Sequence, residues 1–125
     1  MKVSIYTDGS SKGNPGCGGY GVVLLYEGHR KEVSEGYRLT TNNRMELLAV
    51  IVGLEALKSF NKNIVIYSDS KYVVNAIEKK WLFNWERNSF KKKKNKDLWL
   101  RFLKIYRKHS VKFVWIKGHS EIVEN

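Results

Sequence analysis

Cysteine is almost missing from this sequence: Cys17 is the only one among 125 residues. An internal disulfide framework and a cysteine-rich zinc site are excluded, and a reducing, cytoplasmic setting is the expectation. Proline is as scarce, with Pro15 alone, and glycine reaches only ten. Collagen-like and low-complexity classes are excluded with them. No apolar run approaches the ~20 residues of a membrane span; the longest, around 20–26 and 47–57, are short or interrupted. The opening MKVSIYTDGS turns polar by position 7, unlike a signal peptide. With 42% hydrophobic and 13% aromatic residues there is enough for a core. The expectation is one soluble domain over residues 1–125, a monomer with no membrane partner, burying about two thirds of its unfolded surface.

Acidic residues are scarce too: 12 Asp and Glu face 23 Lys and Arg, a net charge of +11. The imbalance is local. Between Lys79 and Lys108 stand twelve basic residues, opposed only by Glu86 and Asp97, so that segment carries +10. A solvated helix face and a lysine-rich loop would account for part of this. The interleaved Trp81, Phe83, Trp85 and Phe90 favour a polyanion instead, with nucleic acid as the natural partner.

Lys2 to Thr7 alternates as a strand ending at Asp8-Gly9. Gly13-Asn14-Pro15-Gly16 is turn chemistry, and Tyr20–Tyr26 and Lys31–Tyr37 read as strands around a Glu27-Gly28-His29 hairpin turn. The spacing of Met45, Leu48, Ile51 and Glu55 predicts a helix from about Asn43 to Phe60. Ile64–Ser68 is a continuous apolar run suited to a central strand. Helices over Lys71–Lys79 and Lys96–His109, the latter turning Leu98, Trp99, Phe102, Leu103 and Tyr106 inward, precede a closing strand Val111–Lys117. The order describes an α/β domain with a five-stranded mixed sheet, a three-strand antiparallel meander plus two parallel strands, flanked by helices.

If the long helix is a right-handed crossover, the first and fourth strands are parallel neighbours. Asp8 and Asp69 then sit side by side at the sheet end where α/β proteins commonly bind ligands. Glu46, in the first turn of the helix between them, reaches that end only if the helix enters from the appropriate side. Three converging carboxylates call for a hard divalent cation, Mg²⁺ or Mn²⁺. On a basic chain they suggest metal-assisted phosphodiester hydrolysis. Each acid also has a plainer reading: Asp8-Gly9 as a turn, Asp69 as a helix N-terminal acid, Glu46 as a capping-box partner of Asn43.

Gly16-Cys17-Gly18-Gly19-Tyr20-Gly21 satisfies G-x-G-x-x-G, but a turn precedes it and a strand follows, so it fails the context of a dinucleotide site. His29 in a turn and His109 at a helix end read as structural. His119, in Lys117-Gly118-His119-Ser120, could shuttle protons beside a metal site.

Together these residues resemble a type 1 ribonuclease H of bacterial kind. The matching segments are Tyr6-Thr7-Asp8-Gly9-Ser10, Gly13-Asn14-Pro15-Gly16, Thr40-Thr41-Asn42-Asn43-Arg44-Met45-Glu46-Leu47, Ser68-Asp69-Ser70-Lys71-Tyr72-Val73 and Trp115-Ile116-Lys117-Gly118-His119-Ser120. The resemblance implies endonucleolytic cleavage of the RNA strand of an RNA–DNA hybrid, leaving 5′-phosphate and 3′-hydroxyl ends, without an organic cofactor. It implies that Asp8, Glu46 and Asp69 hold two metal ions and that His119 aids proton transfer or product release. Asn14, Asn42 and Asn43 would read the hybrid's minor groove beside Gly9, and Thr41 would seat a DNA phosphate. Trp81 to Lys96, with Lys91, Lys92, Lys93 and Lys94, would form a basic protrusion on the DNA strand, with Trp81 and Trp85 packing beneath it. Asparagine amides suit this, since they both donate to and accept from a 2′-hydroxyl.

The family pattern continues E-N-x-x-x-D to a fourth aspartate and a C-terminal helix, whereas this sequence ends at Glu124-Asn125, with Glu121 and Glu124 the acids at hand. Weak occupancy of a second metal site, reduced activity and apolar surface uncovered on one sheet face are the expectations. The competing reading is a module that binds hybrid or double-stranded RNA without cutting. An integrase-like relative is disfavoured by the asparagines and the Trp–Lys segment.

Overall fold

The computed structural model describes residues 2–58 and 63–117. Five strands form one sheet in the order β3-β2-β1-β4-β5: β1 (Val3–Ser11), β2 (Gly16–Tyr26), β3 (His29–Thr40), β4 (Ile64–Ser68) and β5 (Val111–Trp115). β1, β2 and β3 are antiparallel, and β4 runs parallel to both β1 and β5. The meander and the parallel crossovers expected from the element order are thus present. The β2–β3 turn is only Glu27-Gly28, both with positive φ (48° and 80°), the geometry of a tight two-residue hairpin. His29 is the first residue of β3 rather than a turn residue.

The glycine-rich segment 16–21 lies wholly within β2. A Cβ on Gly18 would sit 2.5 Å from the Ser10 carbonyl oxygen and 2.8 Å from Thr40 Cγ2. These glycines let strands approach closely; they cradle no dinucleotide.

Helix α1 (Asn42–Glu55) packs on β1 and β2 and is covered on its far side by α4 (Lys96–Tyr106). Sandwiched so, it is apolar almost all round, with Met45 and Leu47 to Ile51 all buried. It ends earlier than the spacing predicts, with Ala56 as its C-cap; Phe60 lies outside the described residues. Helix α2 (Lys71–Glu78) begins at the Ser70 cap, whose Oγ accepts from Val73 N at 3.2 Å. Helix α3 (Trp81–Arg87) was not expected. It starts from a left-handed Lys80 without a side-chain cap, so no sequence signal marks its entry.

The core between sheet and helices ends in an aromatic cluster. Trp99, fully buried, lies 5.8 Å from Trp85 and 5.6 Å from Phe102 between ring centres, both edge-on. Phe90 is buried there too, so this ring belongs to the core and not to a nucleic-acid surface. On the sheet face away from α1, Tyr6 and Tyr67 stack at 4.5 Å between ring centres, with half-buried Val23 and Val114 in the same row. No helix among the described residues is long and apolar enough to cross a membrane.

Candidate active site

The pairing of β1 with β4 aligns Tyr6 with Tyr67, so two residues further on Asp8, within β1, comes beside Asp69, the residue that follows β4. Thr41 is the N-cap of α1, its Oγ1 accepting from Arg44 N at 3.2 Å. The third helical position is therefore Arg44, and Glu46 stands beyond capping-box reach. Asp69 precedes the Ser70 cap and is not itself the cap; Asp8 lies inside a strand that continues to Ser11, not in a turn. The plainer readings of Asp8 and Glu46 thus fail, while Asp69 does stand at the N-terminal end of α2, directly before its cap.

Instead the three meet. One carboxylate oxygen from each of Asp8, Glu46 and Asp69 lies within 4.8 Å of the others. Gly9 makes this possible. A Cβ there would fall onto the Met45 carbonyl carbon and stand 2.6 Å from both Met45 O and Glu46 N. Without it, α1 sits directly on β1, and Gly9 N–H donates to Glu46 Oε1 at 3.1 Å. From β5, Trp115 Nε1 donates to the Asp69 carbonyl at 3.1 Å, steadying the other acid-bearing turn.

Glu46 is only 5% exposed. Burial, then the charge of Asp69 and a hydrogen bond with it, then the charge of Asp8, push its carboxyl up to about 9, against the opposing Gly9 N–H. The donor set, three clustered carboxylates with hard oxygen ligands, fits Mg²⁺ or Mn²⁺. A test follows from linkage. The metal-free fold holds a proton on this cluster that the unfolded chain releases near pH 4.5, so the cluster's contribution to stability is greatest below that and falls as pH rises toward about 9. Melting in EDTA should show a Tm that declines across this window. Mg²⁺ should raise Tm by an amount that grows with pH, and Glu46→Gln should remove both trends.

The cleft above the acids is walled by Ser10, Asn42, Asn43, Lys71, Tyr72 and Trp115. Asn42 is half-buried and Asn43 exposed. Asn14, on the β1–β2 turn, accepts through Oδ1 from Asn42 N at 2.9 Å, which leaves its amide N–H donors for a bound substrate. Thr41, having accepted from Arg44, keeps its own hydroxyl hydrogen to donate. Of the expected residues, Gly9, Asn42, Asn43, Glu46 and Asp69 line this cleft, while Asn14 and Thr41 bond to the first turn of α1. Lys91, Lys92, Lys93 and Lys94 are exposed on the loop before α4. Lys93 Nζ lies 5.0 Å over the Trp85 ring, whereas Trp81 is 43% exposed, with Lys79 Nζ 5.4 Å over its ring. Trp85 packs beneath the loop; Trp81 is on the surface. His119, Glu121 and Glu124 lie outside the described residues. Lys71 and Trp115 were not expected as cleft walls; each stands in a quoted motif, and only the fold turns them toward the acids.

The RNase H family model matches residues 1–125. The chain belongs to the RNase H family. It is similar to the ribonuclease H of Desulforamulus reducens, 57% identical over 129 aligned positions that cover 99% of this chain and 80% of that protein. Among solved structures it resembles LC9-RNase H1, a type 1 RNase H with the type 2 active-site motif, at a TM-score of 0.74 and 30% identity. That match covers 94% of this chain and 64% of that one. It also resembles LC11-RNase H1 in complex with an RNA/DNA hybrid, at a TM-score of 0.72 and 28% identity, covering 97% and 89%. The expected family, fold and enzyme class are borne out.

Proposed function

We propose that this chain is an endonuclease that hydrolyses the RNA strand of RNA–DNA hybrids, without sequence preference, leaving 5′-phosphate and 3′-hydroxyl ends. The observation that carries the reading is the convergence of Asp8, Glu46 and Asp69 within 4.8 Å, where β1 runs past the end of its parallel neighbour β4, in an RNase H chain.

In this reading the three carboxylates hold divalent cations, two during the reaction. Bound there, such cations supply an acidified water and charge stabilisation for the departing 3′ oxygen. The protein's own groups do the rest. Gly9 N–H and the Trp115 indole N–H keep two of the acids in place. Asn14, Asn42 and Asn43 present amides to RNA 2′-hydroxyls, the group that separates RNA from DNA. Thr41 donates its hydroxyl to a phosphate of the DNA strand. Lys91 to Lys94, with Trp81 and Trp85 nearby, grip that strand by charge and so carry no sequence information. His119 takes the role of proton carrier or product-release group.

The test is incubation of strand-labelled hybrid with Mg²⁺ or Mn²⁺ beside single-stranded RNA and duplex DNA. Selective loss of the hybrid's RNA strand is expected. Tight hybrid binding without cutting in either metal would replace the enzyme with a binding module.

The lysine run gives a second test. Changing Lys91, Lys92, Lys93 and Lys94 together to Gln should weaken hybrid binding and reduce the slope of log affinity against log salt by up to about 3, roughly 0.7–0.9 for each phosphate no longer neutralised. Fluorescence anisotropy across a salt series reads it. An unchanged slope would mean that other basic residues hold the phosphates.

A further inference from the structure

Asn95 closes the lysine run and opens α4 with a left-handed backbone, φ 66°. Asparagine at a helix entry commonly caps its own helix, but here its side chain makes no cap bond. It reaches away instead. Oδ1 accepts from Arg44 Nη1 at 3.2 Å, and Nδ2 donates to the Tyr72 hydroxyl at 3.0 Å. Arg44 stands two residues before Glu46 and also forks onto Asp97, at 3.1 and 2.8 Å to its two carboxylate oxygens. Tyr72 stands three residues after Asp69 and accepts a second bond from Trp99 Nε1 at 2.9 Å. One side chain at the base of the lysine run therefore bridges the helix bearing Glu46 and the helix that follows Asp69.

The far end of the run is anchored as well, because Phe90 is buried in the core. Ser89, Phe90, Lys92 and Asn95 all take positive φ although none is glycine, so the loop has a defined, coiled shape. Packing of α1 on α4 does not explain the bonds that Arg44 makes. A second fork, Arg101 onto Glu55 at 2.8 and 2.6 Å, already joins the same two helices further along. What distinguishes Arg44 is that it also takes hold of Asn95, the residue that closes the lysine run.

We propose that Arg44 is a positioning residue: through Asn95 and Tyr72 it fixes the offset between the lysine run and the Asp8–Glu46–Asp69 cluster, and that offset selects which RNA phosphodiester is cut. The inference rests on the hybrid reading above. When lysines hold phosphates of one strand, they set the register of the whole duplex, and the distance from lysines to acids then decides which bond of the other strand lies at the acids. A lysine at position 44 keeps the charge but cannot reproduce the planar fork. Glycine at position 95 keeps the left-handed backbone and deletes the bridge.

The experiment maps cuts on an end-labelled hybrid whose DNA strand carries a single short run of phosphates among uncharged methylphosphonate linkages, so that the lysines can seat in one register, and measures kcat and KM. It compares the unmodified chain with Arg44→Lys, Asn95→Gly and Arg101→Lys. Arg44→Lys and Asn95→Gly should both spread cleavage to neighbouring phosphodiesters and lower kcat about tenfold or more, a misplaced-geometry effect, with KM within about twofold. Arg101→Lys should give the unmodified pattern. Unchanged cut sites in the first two variants would overturn the inference, with or without lower kcat, as would an equal shift in Arg101→Lys. If the unmodified chain leaves the RNA strand whole, the hybrid reading fails and the selection of a cut site fails with it. The Arg44 linkage itself has a readout apart from cleavage, amide exchange at Lys93 and Trp99, which donate to the Phe90 and Asn95 carbonyls. Faster exchange in Arg44→Lys supports the linkage, and unchanged exchange refutes it.

Discussion

Asp69→Asn should lower RNA-strand cleavage by about 10³-fold or more, the scale of removing a group whose stabilisation is realised in the transition state. Hybrid affinity should stay within about threefold, since it comes from the lysines and asparagines and not from the acids. The substitution is nearly isosteric, and the bond from Trp115 Nε1 runs to the Asp69 backbone carbonyl, so it survives. Removing a negative charge from the crowded carboxylate cluster should also raise the metal-free Tm, opposite to what a damaged fold would show. Single-turnover cleavage, hybrid binding and melting in EDTA on one preparation separate these effects. A variant that cuts normally would make Asp69 no more than an acid preceding a helix.

The second large effect is expected at Gly9, which bears no reacting group. Gly9→Ala places a methyl onto backbone atoms of Met45 and Glu46, none of which can swing aside as a side-chain tip could. Helix α1 must lift from β1, carrying Glu46 away from Asp8 and stretching the Gly9 N–H bond to its carboxylate. Overpacking of this kind costs about 1–3 kcal/mol, while a displacement near 1 Å at a catalytic group costs about 10²-fold in rate. Cleavage should therefore fall about 10²-fold under conditions where the variant is still fully folded by circular dichroism. Activity that tracks the folded fraction alone would show that the spacing of Glu46 and Asp8 does not matter.

Much of the fold is legible from pattern. Alternation locates β1, the continuous run Ile64–Ser68 locates β4, and the crossover rule makes those two strands parallel neighbours, which brings Asp8 beside Asp69. The ends of elements are not legible. β2 begins at Gly16 and β3 continues to Thr40, because glycines at 16, 18 and 19 carry no strand preference of their own and are held by pairing with Thr40, Tyr37 and Gly36. The inward turn of Glu46 depends on which side α1 enters, and that is decided by the missing side chain at Gly9, a contact between residues 37 positions apart. The Arg44–Asn95 bridge spans 51 positions, and Asn95 reads locally as an ordinary helix cap.

Whether Asp8, Glu46 and Asp69 jointly hold a divalent cation can be tested without reference to catalysis, by paramagnetic broadening of backbone amide resonances during a substoichiometric Mn²⁺ titration. Gly9, Glu46 and Ser70 should broaden first and together, and Glu46→Gln should delay all three. If the earliest broadening falls instead on the exposed acids of β3, Glu32 and Glu35, with Gly9 and Ser70 unaffected, the metal site is not where the three carboxylates meet.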